Sequence, residues 1–289
     1  LAEEAYGALK KSGSFTVTSV RPGRTNRKPP PPFTTDTMLQ AASSSLGWSM
    51  SKTSKIASDL YNKGYITYIR TDSTRTSTSA RESAKSIILE NYGQDFLGEG
   101  SLGPDAKKGG GNVQDAHEAI RPTDPKLVSI EDVDEDSTRL YSLVRSRFIS
   151  SQMSDSIRER REISGRVNGT ELTISGTASW RIHAGWEVVS EQFLPEPRIE
   201  EPKFNIVDGS VWEIDDKENN PVKTTDETKP PRRYTESSIV KKMKSAGIGR
   251  PSTYVSTVQK LSDRKYVSND GGSLSPTENG MVLWTEVAP

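Results

Sequence analysis

The chain has 289 residues, no cysteine, 39 basic and 39 acidic side chains, and only 31% hydrophobic residues. This composition excludes disulfides and cysteine-ligated zinc sites, argues against one large core, and gives no global electrostatic reason to expect a nucleic-acid partner. No apolar run of about 18 residues and no charged-then-apolar leader is present, so we expect a soluble protein without a membrane partner. Its length suits two domains, or one large domain with insertions.

The N-terminal segment combines a short helical pattern with an alternating one. Residues 1–10 have helical periodicity, and residues 15–20 alternate like a strand. A basic, proline-rich stretch follows over residues 21–32 and ends in four consecutive prolines. Because proline donates no backbone hydrogen bond, we predict an extended hinge or the entry into a new domain there.

Residues 34–61 are predicted to be helical in two pieces, with a break near residues 46–49. The segment that follows has the sequence Gly-Tyr-Ile-Thr-Tyr-Ile-Arg-Thr-Asp-Ser-Thr over residues 64–74. If this segment is extended, successive side chains alternate between two faces. One face would then carry Ile66, Tyr68, Arg70 and Asp72 in a row.

A phenol, a guanidinium and a carboxylate on one face indicate phosphoryl transfer. A free phenol has a pKa of about 10, so it is a poor nucleophile at neutral pH unless positive charge favours the phenolate. Arg70 is placed to supply that charge, and its planar fork can donate two parallel hydrogen bonds to a phosphodiester. An amphipathic strand with a half-buried Tyr68 and a surface Arg70–Asp72 pair would have the same spacing.

Two further helices and a loop are predicted next. The helices cover residues 78–92 and 128–153, and the loop is the glycine-rich segment 98–112. The start of the second helix carries acidic residues at alternate positions, Asp132, Asp134 and Asp136. We reject a magnesium site there, because acidic residues are expected in a first helical turn.

Alternation dominates the stretch from residue 162 to residue 204. Consecutive antiparallel strands are predicted over residues 162–167, 172–175, 178–182 and 186–189. Residues 195–226 are rich in charged residues and proline, and we expect strands with exposed connections.

The C-terminal segment is predicted to be winged-helix-like. Helix, helix and hairpin follow one another over residues 239–246, 253–261 and 265–275. Ser252 and Thr253 precede the second helix and are predicted to cap it, which would form an anion site beside Arg250. An ordinary turn between two helices would have the same pattern.

Basic residues concentrate in the same segment. Residues 229–265 contain ten lysines and arginines but only two acidic residues. Such a cluster is a footprint of phosphate binding, although a solvated helical face produces the same composition.

Residues 64–74 are similar to the active-site motif of type IA DNA topoisomerases, and Ile69 brings them closer to bacterial topoisomerase I than to topoisomerase III or reverse gyrase. Further segments resemble the family's motifs in the family's order. These are the start of the tyrosine domain (residues 31–42), the second active-site motif (116–123), the closing helix (140–153) and the DNA-binding part (234–267).

The resemblance implies an α+β multidomain fold, a partial type IA topoisomerase core. A mainly helical domain over residues 31–154 would carry the active-site tyrosine. It would be inserted between two chain passes of a β-rich arch domain, residues 1–30 and 155–228. Residues 229–289 would form a partial helical, winged-helix-like DNA-binding domain.

The resemblance also implies an ATP-independent isomerase. In this family a tyrosine cleaves one DNA strand, holds its 5′-phosphate, and reseals the strand after the other has passed, which relaxes negative supercoils. The implied catalytic residues are Tyr68, Arg70 and His117, supported by Thr67, Asp72 and Glu118. The implied DNA-binding residues are Arg121, Arg250, Ser252, Thr253 and Arg264. Apart from the resemblance, a lone histidine such as His117 is more often a structural hydrogen-bonder.

Type IA enzymes begin with a Toprim domain that supplies magnesium ligands and a lysine that acts as the acid. This sequence contains no counterpart of that domain. We therefore expect a fragment that binds DNA without relaxing it, with Mg²⁺ as a cofactor whose ligands lie elsewhere. The expected partners are DNA, single-stranded at the cleavage site, and the Toprim domain of the same polypeptide. We expect a monomer in the cytoplasm, associated with the nucleoid, with an organelle left open. The alternatives are a non-enzymatic single-stranded DNA-binding or clamp module, or a purely structural arch.

Overall fold

The computed structural model describes residues 2–99, 118–193, 206–214 and 221–287. Backbone contacts divide the chain into two compact units, each made of three segments. The β unit consists of Leu1–Arg27, Ser156–Ala184 and Glu196–Pro230, and the helical unit consists of Lys28–Asp155, Gly185–Pro195 and Pro231–Pro289. The fold is therefore of mixed α and β type.

An antiparallel four-stranded sheet forms the centre of the β unit, with the strand order β3-β2-β1-β4. After helix α1 (Ala2–Ser12), the strands are β1 (Ser14–Arg27), β2 (Ser156–Val167), β3 (Thr173–His183) and β4 (Val211–Glu213). Strands β1 and β2 pair from Phe15 opposite Val167 to Arg27 opposite Ser156. The helix predicted over residues 1–10 and the strand predicted over residues 15–20 are confirmed.

Strand β1 is longer than predicted, so the interpretation of residues 21–27 as a hinge is wrong. Pro22 lies within the strand, opposite Arg161 of β2. On the other side of β1, β4 pairs with Ser14–Thr16, and Val17 exchanges backbone hydrogen bonds with Gly209 and Ser210; no described strand pairs with the part of that side that contains Pro22. Proline is tolerated at an edge because a missing N–H on the open side breaks no ladder hydrogen bond.

The predicted strands after residue 170 also need correction. Residues 173–175 and 178–182 belong to one strand, β3, which begins one residue after the predicted start at residue 172. Residues 186–189 are mostly a short helix, α6 (Glu187–Ser190). Gly185 has a positive φ of 51° and packs so tightly that a Cβ would lie 2.3 Å from the Asp155 carbonyl oxygen. This left-handed glycine turns the chain, and the following turn buries Val189 in a helical core, so no strand forms.

Most of the helical unit is made of six helices and a hairpin. The helices are α2 (Thr35–Leu46), α3 (Met50–Asn62), α4 (Thr78–Asn91), α5 (Glu135–Ser150), α7 (Glu236–Ser245) and α8 (Tyr254–Asp263). A 3-10 turn (Gln94–Phe96) follows α4, and the hairpin strands are β5 (Val267–Asp270) and β6 (Ser273–Pro276). Helix α9 (Glu278–Val282) and a π-helical turn (Leu283–Val287) come last. The C-terminal helices and hairpin lie where the sequence predicts them.

The break between α2 and α3 has a local cause. Gly47 ends α2 in the left-handed conformation, with φ of 70°, and the Ser49 side chain accepts a hydrogen bond from the Lys52 N–H at 3.2 Å to cap α3. Both residues stand inside the predicted break at residues 46–49, which is confirmed.

Helix α5 begins at Glu135, seven residues after the predicted start. Asp134 caps it by accepting a hydrogen bond from the Ser137 N–H at 2.7 Å. Hydrogen bonds from the Ser137 side chain and then from its N–H lower the pKa of Asp134. Asp136 pairs with Lys52 at 2.6 Å, and the Asp132 carbonyl oxygen accepts from Lys63. The acidic run thus supplies the cap and the first turn of α5, as the helix-dipole argument predicts.

The helical unit contains three buried clusters. The first includes Phe33 and Tyr141, and the second joins α4 and α5 to the turn at α6. The third packs Leu39 of α2 and Met50 of α3 against residues of α7 and α8, which are Val240, Met243, Tyr254 and Val258. The C-terminal helices therefore share a core with the helices before the tyrosine segment. None of the helices in the described part of the chain combines the length and apolar character that a membrane crossing requires.

Candidate active site

The tyrosine segment alternates between buried and outward side chains after Thr67. Tyr68 is 37% exposed and Arg70 is exposed, whereas Ile69 and Thr71 are buried. Asp72 is half-buried. Ile66 departs from the predicted face, because it forms an isolated bridge to Pro122 and is 1% exposed. The phenol and the guanidinium therefore point outward from a backbone that is anchored on both sides.

Helix α2 anchors the backbone around Arg70. The Thr35 hydroxyl lies 2.6 Å from the Ile69 carbonyl oxygen and accepts a hydrogen bond from the Thr71 N–H at 2.9 Å. The Thr35 N–H donates to the Thr71 carbonyl oxygen, also at 2.9 Å. Three bonds from one residue thus hold both neighbours of Arg70.

A second anchor comes from residues 118–123, the described part of the second motif. The Thr67 N–H donates to the Arg121 carbonyl oxygen at 2.9 Å, and the Arg121 N–H donates to the Thr67 hydroxyl oxygen at 3.0 Å. The Thr67 hydroxyl donates to the Ala119 carbonyl oxygen at 2.7 Å. The Ala119 N–H donates to the Arg75 carbonyl oxygen at 2.7 Å. The two motifs therefore lie side by side, although about fifty residues separate them in sequence.

Arg121 has its donors directed at protein acceptors. Its Nε and Nη2 lie 2.8 and 2.6 Å from Glu118 Oε2. Nη1 donates to the Pro122 carbonyl oxygen at 2.8 Å, and Nη2 lies 3.3 Å from the Ser77 hydroxyl. Arg121 is 9% exposed, so this is a buried, charge-assisted cluster that braces the second motif.

The ring of Tyr68 packs against Tyr61 at the end of α3. Their centroids are 5.5 Å apart with an angle of 68° between the rings, an edge-to-face arrangement. Tyr61 is itself 42% exposed. This contact orients the phenol without enclosing it, and no feature of the sequence pattern indicated it.

An ion pair connects α7 to the start of α2. Lys244 Nζ lies 2.8 Å from Asp36 Oδ1, and the Thr34 hydroxyl donates to the same oxygen at 2.8 Å. Asp36 is 4% exposed. The nearby Tyr254 has its pKa raised, first by burial and then by the negative charge of Asp36, with a smaller contribution from Asp72 and an opposing one from Arg250. Asp36 and Arg250 therefore lie in the same region as Asp72 of the tyrosine segment, because all three charges act on Tyr254.

The turn before α8 corrects the capping prediction. Thr253 occupies the N-cap position but its side chain makes no cap hydrogen bond. Its hydroxyl oxygen instead accepts from the Arg250 N–H at 2.8 Å, because left-handed Gly247 and Gly249 fold the turn back on itself. Gly249 also admits the Tyr254 ring, which a Cβ would approach to 3.2 Å. The predicted DNA-binding residues of this region are all exposed, namely Arg250, Ser252, Thr253 and Arg264.

His117 lies outside the described residues. Within residues 2–99, 118–193, 206–214 and 221–287, no group of three or more His, Cys, Asp or Glu side chains could hold a metal ion. The described side chains therefore do not fit a magnesium site.

Comparisons with known proteins agree on one family. The family model described as DNA topoisomerase matches residues 1–289. The chain is 38% identical to DNA topoisomerase 1 of Fervidobacterium islandicum over 97% of this chain and 41% of that protein. It is 39% identical to DNA topoisomerase 1 of Thermotoga maritima over 88% of this chain and 40% of that protein. The chain thus spans about two fifths of the length of these relatives.

A solved structure agrees with these relatives. The structure of full-length topoisomerase I from Thermotoga maritima matches with a TM-score of 0.75 and 34% identity, over 95% of this chain and 45% of that one. The sequence motifs and the fold therefore indicate the same family. The chain belongs to the DNA topoisomerase family, in its bacterial type IA branch.

Proposed function

We propose that this chain is the strand-cleaving core of a type IA DNA topoisomerase, with Tyr68 as the nucleophile. The observation that supports it best is the outward phenol of Tyr68, followed by the outward guanidinium of Arg70, on a backbone anchored by Thr35 and Thr67. Rigid support of a nucleophile is what an in-line displacement needs. Family membership directs that chemistry toward a DNA phosphodiester.

The reaction exchanges one ester for another. The phenol oxygen of Tyr68 forms a bond to phosphorus, the bond from phosphorus to the 3′ oxygen breaks, and the phenol proton ends on the released 3′ hydroxyl. The strand stays attached through its 5′-phosphate. Because the number of phosphodiester bonds is unchanged, the reverse step reseals the strand without ATP once the other strand has passed.

The residues around Tyr68 have distinct proposed roles. Arg70 stabilises the phosphate charge, with Asp72 orienting it, and Thr67 positions the tyrosine backbone. For Arg121 the contacts to Glu118 and Ser77 favour a bracing role over direct DNA contact. His117 is proposed to contact the scissile phosphate or to relay a proton.

Strand binding is assigned to the C-terminal helices. Arg250, Ser252, Thr253 and Arg264 are exposed, and they lie in the most basic part of the chain. A basic, exposed surface of this kind binds the backbone of a single strand by charge, with little sequence preference. We infer that the helical unit carries both the nucleophile and the strand-binding, winged-helix-like part, and that the sheet of the β unit belongs to the family's arch.

Full relaxation activity is proposed to require the family's Toprim domain and Mg²⁺, which would supply the general acid and the metal chemistry. In this account the chain acts as a monomer in the cytoplasm, on the nucleoid. On its own it binds single-stranded DNA without relaxing supercoils.

A split-enzyme assay tests the proposal. The chain is incubated with a labelled single-stranded oligonucleotide, Mg²⁺ and the separately produced Toprim fragment of the Thermotoga maritima enzyme, and then trapped with denaturant. We expect a covalent adduct that Tyr68→Phe abolishes and that the matched control Tyr61→Phe retains. The positive control is the corresponding Thermotoga maritima segment in place of this chain. If that control forms the adduct and this chain does not, the non-enzymatic DNA-binding or clamp alternative is favoured.

A further inference from the structure

A cavity of about 610 Å³ lies in the helical unit, lined by residues of α2, α5, α7 and the turn that contains α6. The α5 face is formed by Leu143, Ser146, Arg147 and Ser150, whose spacing of three and four residues places them on one side of a helix. The volume of the cavity is within the range of about 300–1,000 Å³ that is usual for small-molecule sites. The tyrosine segment contributes no lining residue.

The charge of the lining has one sign. Arg147 of α5 and Lys241 of α7 both border the cavity, and none of the lining residues that the structure describes is an aspartate or a glutamate. Leu143, Trp186 and Phe193 supply apolar and aromatic wall. A cavity of this kind is suited to an anion with an apolar or planar body.

The guanidinium of Arg147 packs against an aromatic ring, and no acidic side chain in the described ranges forms an ion pair with it. It stacks over the Phe33 ring at 4.3 Å from the centroid, and burial lowers its pKa to about 10, so it is charged at neutral pH. Among the described residues, no carboxylate or hydrogen-bond acceptor is paired with this side chain. An anion bound in the cavity would therefore stabilise this half-buried cation by a charge-assisted contact.

Most of the hydroxyls around the cavity are already used as donors. Ser146 donates to the Val189 carbonyl oxygen at 2.9 Å, and Ser150 donates to the Trp186 carbonyl oxygen at 3.3 Å. Gln40 and Ser45 also line the cavity, and neither side chain makes a hydrogen bond within the described part of the chain. The available donors are therefore the two cations, one amide and one hydroxyl.

We propose that this cavity binds a phosphomonoester with an aromatic body, of the nucleoside monophosphate class, with the phosphate between Arg147 and Lys241 and the base against Trp186 and Phe193. The planar fork of arginine matches phosphate oxygens, and an aromatic wall accepts any base by stacking. Two sources have this chemistry, a free nucleotide and the 5′-phosphorylated end of a DNA strand. The site is distinct from the proposed nucleophile, so Tyr68→Phe leaves it intact.

Calorimetric titration with thymidine 5′-monophosphate at low salt tests the proposal. We expect saturable binding at one site, at least tenfold weaker for thymidine, which lacks the phosphate. Lys241→Gln and Arg147→Met should each weaken binding about tenfold, since each removes a charge-assisted contact. The matched control is Lys242→Gln, the neighbouring exposed lysine of α7 that does not line the cavity.

Because Arg147 is half-buried, thermal unfolding is used to check that the Arg147→Met variant still folds. Lys241 is exposed, so Lys241→Gln tests the same site with less risk to the fold. In a competition experiment, a 5′-phosphorylated oligonucleotide and a 5′-hydroxyl oligonucleotide are each tested for displacement of thymidine 5′-monophosphate. If only the 5′-phosphorylated oligonucleotide displaces it, the site is assigned to strand ends. If neither oligonucleotide displaces it, the site is assigned to free nucleotides. No saturable binding of the monophosphate, equal binding of thymidine, or equal affinity in Lys241→Gln and Lys242→Gln would overturn the proposal.

Discussion

The Thr67 hydroxyl donates a hydrogen bond to the Ala119 carbonyl oxygen at 2.7 Å, which fixes the residue before Tyr68 to the second motif. The bond joins positions 52 residues apart, and the Arg121 N–H donates to the same hydroxyl oxygen at 3.0 Å. One side chain thus acts as both donor and acceptor between the two motifs.

Replacing Thr67 should affect the position of Tyr68 more than the fold. Thr67→Val keeps the shape but removes both hydrogen bonds, so we expect a loss of about 1–2 kcal/mol in unfolding free energy and slower adduct formation. Thr67→Ser keeps the hydroxyl and should behave like the parent chain. Urea unfolding and adduct kinetics measure both effects, and equal adduct rates in the two variants would contradict this role.

The Asp36–Lys244 ion pair should stabilise the helical unit. Lys244→Met leaves the buried Asp36 carboxylate with the Thr34 hydroxyl as its remaining described partner, so we expect a loss of about 1–2 kcal/mol. Lys242→Met, on the exposed side of the same helix, is the control. A double-mutant cycle with Asp36→Asn measures the coupling, and a coupling energy near zero would show that the pair contributes nothing.

Local chemistry explains which parts of the fold could be predicted. The break between α2 and α3 depends on Gly47 and Ser49, a short-range effect that the sequence displays and that was predicted correctly. The start of α5 was predicted at residue 128, seven residues too early, because the helical pattern did not show that Asp134 is the residue that caps the helix. The full length of β1 and the helical turn at α6 depend instead on pairing with β2 and on the close approach of Gly185 to Asp155. Those partners are far apart in sequence, so no local pattern encodes them.

The same distinction applies to the candidate site. Alternation over residues 64–74 predicted that Ile66, Tyr68, Arg70 and Asp72 share one face. This holds from Tyr68 onward, whereas Ile66 is buried. The anchors at Thr35 and Ala119, the Tyr61 ring and the Lys244 pair required the tertiary fold. Thr253 was predicted as a cap from its residue type, but the two left-handed glycines before it direct its hydroxyl to Arg250.

Tyr141 should make stability depend on pH above 10. Its hydroxyl donates to the Leu127 carbonyl oxygen at 2.9 Å, and burial raises its pKa to about 12. Between pH 10 and 12 the unfolded chain loses a proton that the folded chain keeps, so this stabilisation is full below about pH 10 and is lost as the pH rises through about 12.

Tyr141→Phe removes the hydrogen bond and the titration together. We expect the variant to be about 1 kcal/mol less stable at pH 7, with the difference shrinking as the pH rises above about 10. Urea unfolding of both proteins at several pH values measures it. A difference that stays constant through this range would contradict the assignment.

Arg250 should contribute one phosphate contact to single-stranded DNA binding. Arg250→Ala is expected to weaken binding similarly for all sequences and to reduce the slope of log K against log salt concentration by about 0.7, the value for one contact on a single strand. Fluorescence anisotropy over a salt series measures the slope. An unchanged slope would show that Arg250 makes no phosphate contact.

The central claim is that the Tyr68 hydroxyl becomes covalently joined to a DNA 5′-phosphate. Peptide mapping by mass spectrometry of the trapped adduct tests it most directly, after nuclease digestion has reduced the DNA to a single nucleotide. We expect the added nucleotide on the peptide that contains Tyr68, and on the Tyr68 side chain itself. An adduct on any other residue, with Tyr68 unmodified, would contradict it.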